Sequence, residues 1–248
     1  MNIRSAIIEG TSILTDKSIG SAKLDSEILL ASAIEQDREY LILNNDQHIK
    51  KENLKYYQKL IAKRSFREPI AYLTNKKNFW NYKFLVTKDT LIPRPDTEVI
   101  VEQILKITKF KTKMKILDIG VGSGCILLTI LKERKNFYGV GVDISKKCLN
   151  ISKINAKKLK VSSRVKFFKT DVDKFAQGKY DLIVSNPPYI KKLDLKYLEK
   201  DVINFEPKLA LNGGLDGLSE IRKVINKSSE LIKKNGKFIL EIGFDQKN

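Results

Sequence analysis

The sequence predicts an α/β protein: a doubly wound, mostly parallel sheet preceded by a small all-α bundle and a β-hairpin. Three observations predict it. From residue 96 onwards, near-continuous apolar runs alternate with segments of helical periodicity, as in a parallel sheet covered on both faces. Residues 1–74 carry apolar positions at 3.6-residue spacing and no strand patterning. Between these parts, "NFWNYKFLVT" alternates and is rich in aromatics, which suits a short hairpin. The expected domains are therefore 1–74 (helical), 75–95 (hairpin linker) and 96–248 (sheet).

In chain order, "AKLDSEILLASAI" and "ENLKYYQKLIAKR" supply amphipathic helices, and the bundle closes near Pro69. In "LIPRPDTE" two prolines fix an extended path. Asp96 or Thr97 is then expected to cap a helix beginning near Glu98. Strands are expected over 114–120, 137–143, 164–171, 180–186 and 236–243. The helices between them cover about 97–109, 124–134, 146–158, 192–201 and 216–234.

Length and composition exclude several classes. A chain of 248 residues, 42% hydrophobic and 31% charged, can bury a real core and reads as globular. No apolar run approaches the roughly 20 residues of a membrane helix. The N-terminus shows no apolar signal core, so a cytoplasmic location without a membrane partner is expected. Cys125 and Cys148 are too few for a disulfide framework and lack metal-ligand spacing; both read as small core residues, and no metal is expected. The one histidine, His48, is given a surface-helix role, which leaves a histidine-based zinc site or triad hard to build. The net charge of +18 suits a nucleic-acid or ribosomal partner. The lysines are scattered and Ile and Asn are abundant, so compositional drift is favoured and nucleic acid is not required.

"ILDIGVGSG" places Gly120, Gly122 and Gly124 between a strand and a helix start. Such a loop lets a ligand approach the backbone and aims helix N–H groups at it. The dinucleotide fingerprint would need glycine or alanine where Cys125 stands. Asp143 ends the next strand, where a carboxylate meets ribose hydroxyls, and Asp171 ends the third. The set suits a nucleoside ligand, and the missing glycine favours S-adenosylmethionine over a nicotinamide cofactor. Asp118, just before the loop, is expected to bond backbone or face the methionine amine.

The fourth strand ends in Asn186, Pro187, Pro188 and Tyr189. The asparagine offers one acceptor and two donors. The prolines remove competing N–H groups and leave the carbonyls of Asn186 and Pro187 to accept from outside, and Tyr189 supplies a flat face. Two acceptors beside an aromatic face match a planar –NH2 group. Accepting its hydrogen bonds raises its electron density and aims its lone pair at a methyl sulfonium. This tetrad resembles the N-P-P-Y motif of S-adenosylmethionine-dependent amino-methyltransferases acting on adenine, guanine or glutamine.

Four stretches are together similar to the release factor glutamine methyltransferases, the HemK or PrmC family: residues 67–98, "LDIGVGSGCILL", "DLIVSNPPYI" and "FEPKLALNGGLDGL". The resemblance implies a Rossmann-like class I methyltransferase domain after a helical bundle that binds substrate. It implies methyl transfer to the side-chain amide N5 of the glutamine in the Gly-Gly-Gln motif of peptide chain release factors, leaving S-adenosylhomocysteine. It further implies that Gly120, Val121, Gly122, Ser123, Gly124 and Asp143 hold the cofactor with Asp118 and Asn186. Val172 would lie against the adenine beside Asp171, and Asn186, Pro187, Pro188 and Tyr189 would hold the glutamine, with Asn186 and Tyr189 catalytic. Arg94, Thr97 and Glu98 match a family segment at the active-site mouth, with capping and hairpin packing as the equal alternative. Glu206 and Pro207 are read in the same way, with shaping the loop after the fourth strand as the alternative to a site role.

The resemblance also implies a further helix and an antiparallel strand pair beyond "LEIGFDQ". A C-terminally truncated sheet with an exposed edge is therefore expected, and such an edge is a stability liability. Two alternatives stand beside the leading function: a nucleic-acid N6-adenine or N2-guanine methyltransferase, and an inactive cofactor-binding protein.

Overall fold

The computed structural model describes residues 1–247. Packing divides the described chain into two compact units, residues 1–75 with 199–205, and residues 76–198 with the segment from 206 onwards.

The first unit is helical: α1 (Ile3–Asp16), α2 (Ala22–Ala33), α3 (Arg38–Leu43), α4 (Lys51–Ser65) and α5 (Ile70–Leu73). Asn2 caps α1 by accepting from the Ser5 N–H at 2.9 Å, the role its short polar side chain favours. Apolar stripes meet in a core that includes Leu14, Leu29, Leu30 and Leu60. The buried Tyr57 hydroxyl pairs with Ser26 Oγ at 2.6 Å and reaches the Ala6 carbonyl at 3.0 Å. A short helix from the later chain, α9 (Lys200–Phe205), joins this unit. Its Asp201 meets the buried Arg64 at 2.6 Å, and Arg64 also bonds Asp25 at 2.7 Å. The helix expected over 192–201 is thus corrected: Asp194–Tyr197 is a 3-10 turn, and the α-helix begins only at Lys200. His48 is corrected too. It is exposed and sits in an isolated antiparallel bridge to Asn2, not on a helix.

In the second unit, β1 (Lys76–Phe79) and β2 (Tyr82–Leu85) form an antiparallel hairpin. After α6 (Glu98–Ile107) come β3 (Lys115–Ile119), α7 (Cys125–Glu133), β4 (Tyr138–Asp143), α8 (Lys146–Lys158), β5 (Val165–Lys169) and β6 (Tyr180–Ser185). The chain then reaches α10 (Ser219–Leu231) and β7 (Ile232–Leu240). The sheet order is β5-β4-β3-β6-β7, every pair parallel. Strand periodicity sorts the core: Ile116, Leu182 and Val184 meet α6, α7 and α8, while Leu117, Ile119 and Ile183 meet Val224 and Leu231 of α10. Both faces are covered, which is why these strands read as continuous apolar runs.

Three local departures have physical causes. Thr97 does not cap α6: a 3-10 turn over Pro95–Thr97 precedes it, and the Thr97 hydroxyl bonds elsewhere. β7 starts four residues before the expected 236, because a bulge between Tyr180 and Leu182 of its partner absorbs the extra chain, with Asn235 at φ +65°. Cys148 is buried, but Cys125 is only half-buried; both are free, and burial pushes the thiols up to about 11 and about 12. Among the described residues no helix is long and apolar enough to cross a membrane.

Polar anchors tie the hairpin to the layer behind the site. Trp80 Nε1 and the Tyr82 hydroxyl both donate to Glu133, and the Trp80 N–H donates to Glu98. The buried Asn155 of α8 accepts from the Leu85 N–H at 2.8 Å and donates to the carbonyls of Leu85 and Ser123 at 3.0 and 2.9 Å. One side chain so fastens β2 to the glycine loop. Asn155→Ala leaves three backbone groups without this partner, the Ser123 carbonyl buried and the two of Leu85 partly buried, and should destabilise the second unit by about 3 kcal/mol. Chemical denaturation checks this, and a loss under about 0.5 kcal/mol contradicts the anchoring.

Candidate active site

The turn after β3 is built around positive φ: +75° at Gly120 and +55° at Gly122, which side chains with a Cβ adopt at a cost. A Cβ on Gly120 would meet nothing within 4 Å, so the loop faces open space. The N–H groups of Gly120 and Val121 donate to Val142, and that of Gly122 to Asp143 Oδ2 at 3.0 Å. Asp143 Oδ1 accepts from the Ser145 N–H. Burial pushes the Asp143 carboxyl up, and those two N–H groups offset part of the rise. Ser123 is buried, and Gly124 opens α7.

Asp118 lies one residue before the end of β3 and is fully buried. Neither of its carboxylate oxygens has a hydrogen-bond partner. Burial pushes this carboxyl up to about 7; the nearby Leu127 N–H offsets part of the rise, and the Asp143 charge adds a smaller amount to it. A buried carboxylate left unpaired is costly, so the site suits a cationic group of a ligand. With the open loop and the partly buried Asp143, it fits an amino-acid-bearing nucleoside.

The tetrad follows β6 directly. Ser185 Oγ donates to the Ile119 carbonyl at 2.7 Å, holding the two strand ends together. Asn186 Nδ2 donates to Thr97 Oγ1 at 3.2 Å, and Thr97 donates to Glu241 Oε2 at 2.7 Å. The Tyr189 hydroxyl donates to Glu241 Oε1 at 3.2 Å. Burial first, then the Glu241 charge, pushes the Tyr189 phenol up to about 12. Pro187 is buried and Pro188 half-buried. Past the tetrad the Ile190 N–H donates to the Leu211 carbonyl and the Gly213 N–H to the Ile190 carbonyl, and a Cβ on Gly213 would lie 2.9 Å from the Pro188 carbonyl. The buried Glu206 accepts from Arg94 Nη2 at 2.6 Å and the Ile92 N–H at 3.2 Å, so it pins the "IPRPD" loop beside the post-tetrad loop.

Asp171 caps its own turn, accepting from the Asp173 N–H, and Val172 packs partly buried against the core that holds Val142 and Phe175. Among the described residues no group of three or more His, Cys, Asp or Glu could hold a metal. A cavity of about 640 Å³ lined by Lys115, Arg164, Tyr180 and Lys233 touches none of the site residues. Two functional candidates escape local sequence reasoning, Glu241 and the anchoring role of Glu206. For Glu241 a signal exists: an acid directly after a parallel strand, as Asp143 is an acid at the end of one.

Residues 5–74 match the model of the PrmC N-terminal domain, and residues 95–214 that of the methyltransferase small domain. A release factor glutamine methyltransferase of Clostridium acetobutylicum is 38% identical over the whole chain and 88% of its own length. The Clostridium botulinum protein of that name is also 38% identical, with the same coverage. One from Buchnera aphidicola is 37% identical, covering the whole chain and 87% of its own.

The raised Asp118 carboxyl has a stability consequence. The folded state holds this proton more tightly than the unfolded chain, so its contribution is full below about pH 4 and is lost as pH rises to about 7. Relative to Asp118→Asn, the ligand-free protein should lose on the order of 3 kcal/mol across that window. Denaturation midpoints against pH measure this, and parallel curves for the two proteins contradict it.

Proposed function

Because the chain belongs to the release factor glutamine methyltransferase family, we propose that it methylates N5 of the glutamine in the Gly-Gly-Gln motif of peptide chain release factors. It is an S-adenosylmethionine-dependent glutamine methyltransferase by that membership. When bound, S-adenosylmethionine would supply an electrophilic methyl group on a sulfonium sulfur; as the N–C bond forms the S–C bond breaks to leave S-adenosylhomocysteine, and the surplus amide proton leaves to solvent after transfer. The observation that supports the substrate reading is the strand register. Ile119 pairs with Ser185, so the glycine loop and Asn186 begin side by side.

In this reading Asp118 takes the cofactor's ammonium group, and Gly120, Val121, Gly122, Ser123 and Gly124 admit its backbone-facing edge. Asp143 takes ribose hydroxyls, and Asp171 and Val172 border the base. Asn186 Oδ1 and the Pro187 carbonyl each accept one N–H of the glutamine amide, and Pro188 keeps the corner stiff. That pairing raises electron density on a weak nucleophile and fixes its orientation. Tyr189 contributes a ring face; its hydroxyl is committed to Glu241 and its phenol stays protonated, so it is no base. The first helical unit serves to dock the release factor, and a release factor substrate places the reaction in the cytoplasm.

Incubation with labelled S-adenosylmethionine and either purified release factor or total RNA tests the proposal. Label should enter the release factor and vanish when its Gly-Gly-Gln glutamine is replaced. Label on RNA alone supports a nucleic-acid enzyme instead, and label on neither, with cofactor binding kept, an inactive binder. Asn186→Ala should lower kcat at least about 100-fold, with cofactor Kd within about tenfold.

A further inference from the structure

We infer that Thr97 and Glu241 act as positioning residues that set which end of the Asn186 amide faces the substrate. The inference rests on the reading that Asn186 accepts an N–H of the reacting amide. The two ends of a carboxamide are nearly isosteric. Turned over, Asn186 would present –NH2 to another –NH2, and the contact would repel instead of bind.

The hydrogen-bond polarity at the site excludes that orientation. A carboxylate only accepts, so the single Thr97 hydroxyl proton goes to Glu241 Oε2, 2.7 Å away. What Thr97 has left for Asn186 is a lone pair. Only the nitrogen end of the Asn186 amide can donate to it, across 3.2 Å. The chain of donors therefore runs Asn186 to Thr97 to Glu241, and the oxygen end of the amide is kept for accepting elsewhere. The other Glu241 oxygen takes the Tyr189 proton, so one carboxylate orients both residues that flank the two prolines.

The clamp is held on rigid backbone. Thr97 is 2% exposed, and its N–H donates to the Arg94 carbonyl at 3.2 Å. The Glu241 N–H donates at 3.0 Å to the carbonyl of Ser185, the residue before Asn186. Neither Thr97 nor Glu241 has to touch the reacting atoms for this role.

Thr97→Val keeps the shape and removes the hydroxyl. With a release factor substrate, kcat should fall at least about tenfold, equivalent to about 1.4 kcal/mol, while KM and cofactor Kd stay within about threefold. Thr97→Ser should restore most of kcat. A second readout needs neither cofactor nor turnover: one Asn186 side-chain amide proton, assigned by its loss in Asn186→Ala, should exchange slowly with water by NMR. That protection should persist in Thr97→Ser and disappear in Thr97→Val. Free-amide exchange in the wild type overturns the clamp even where Thr97→Val fails to fold, and so does unimpaired kcat in a folded Thr97→Val. An inactive Asn186→Ala beside a fully active Thr97→Val discards the clamp and leaves the role of Asn186 standing. A fully active Asn186→Ala overturns both.

Discussion

One rung of the parallel sheet sets the whole site. Val142, Ile119, Ser185 and Leu240 lie side by side across β4, β3, β6 and β7. The next residue on each strand is Asp143, Gly120, Asn186 and Glu241. Parallel strands all end at the same edge, so three polar side chains and the first glycine of the loop leave their strands at one level. The buried bond from Ser185 Oγ to the Ile119 carbonyl locks the central pair. A slip of one residue would turn each apolar set to the wrong face, so core burial itself enforces the alignment of the chemistry.

The rung carries a cost that the loops offset only in part. Asp118 sits one position inside it, buried and unpaired, where an apolar residue would be more stable. Thr97 ties the preceding loop to Glu241, Glu206 ties the following loop to that same preceding loop, and Asn155 ties the hairpin to the glycine loop. A buried, unpaired carboxyl is thus embedded in a shell whose other polar atoms are mostly satisfied.

Much of this is legible in the sequence because it is local. The strand runs, the glycine turn and N-P-P-Y each lie within about ten residues, and their spacing alone fixes strand, turn and corner. The polar shell is not legible in this way. Thr97 looks like a helix cap, yet its partner is 144 residues away. Glu206 reads as a loop shaper, although its carboxylate reaches back 112 and 114 residues. Asp201 is predicted within the sheet domain and instead completes an ion pair with Arg64 of the helical unit. Periodicity carries no information about pairs so far apart. The helix expected over 192–201 is misplaced for the related reason that its charged pattern lacks an apolar face to set the register.

The central claim is that these four strand ends form a single site for both the cofactor and the glutamine. A crystal structure with S-adenosylhomocysteine and a Gly-Gly-Gln peptide tests it most directly. The cofactor's amine should lie beside Asp118, and the glutamine amide nitrogen about 3 Å from Asn186 Oδ1. A cofactor seated in the basic cavity lined by Lys115 and Tyr180, or a glutamine out of reach of Asn186, would contradict it.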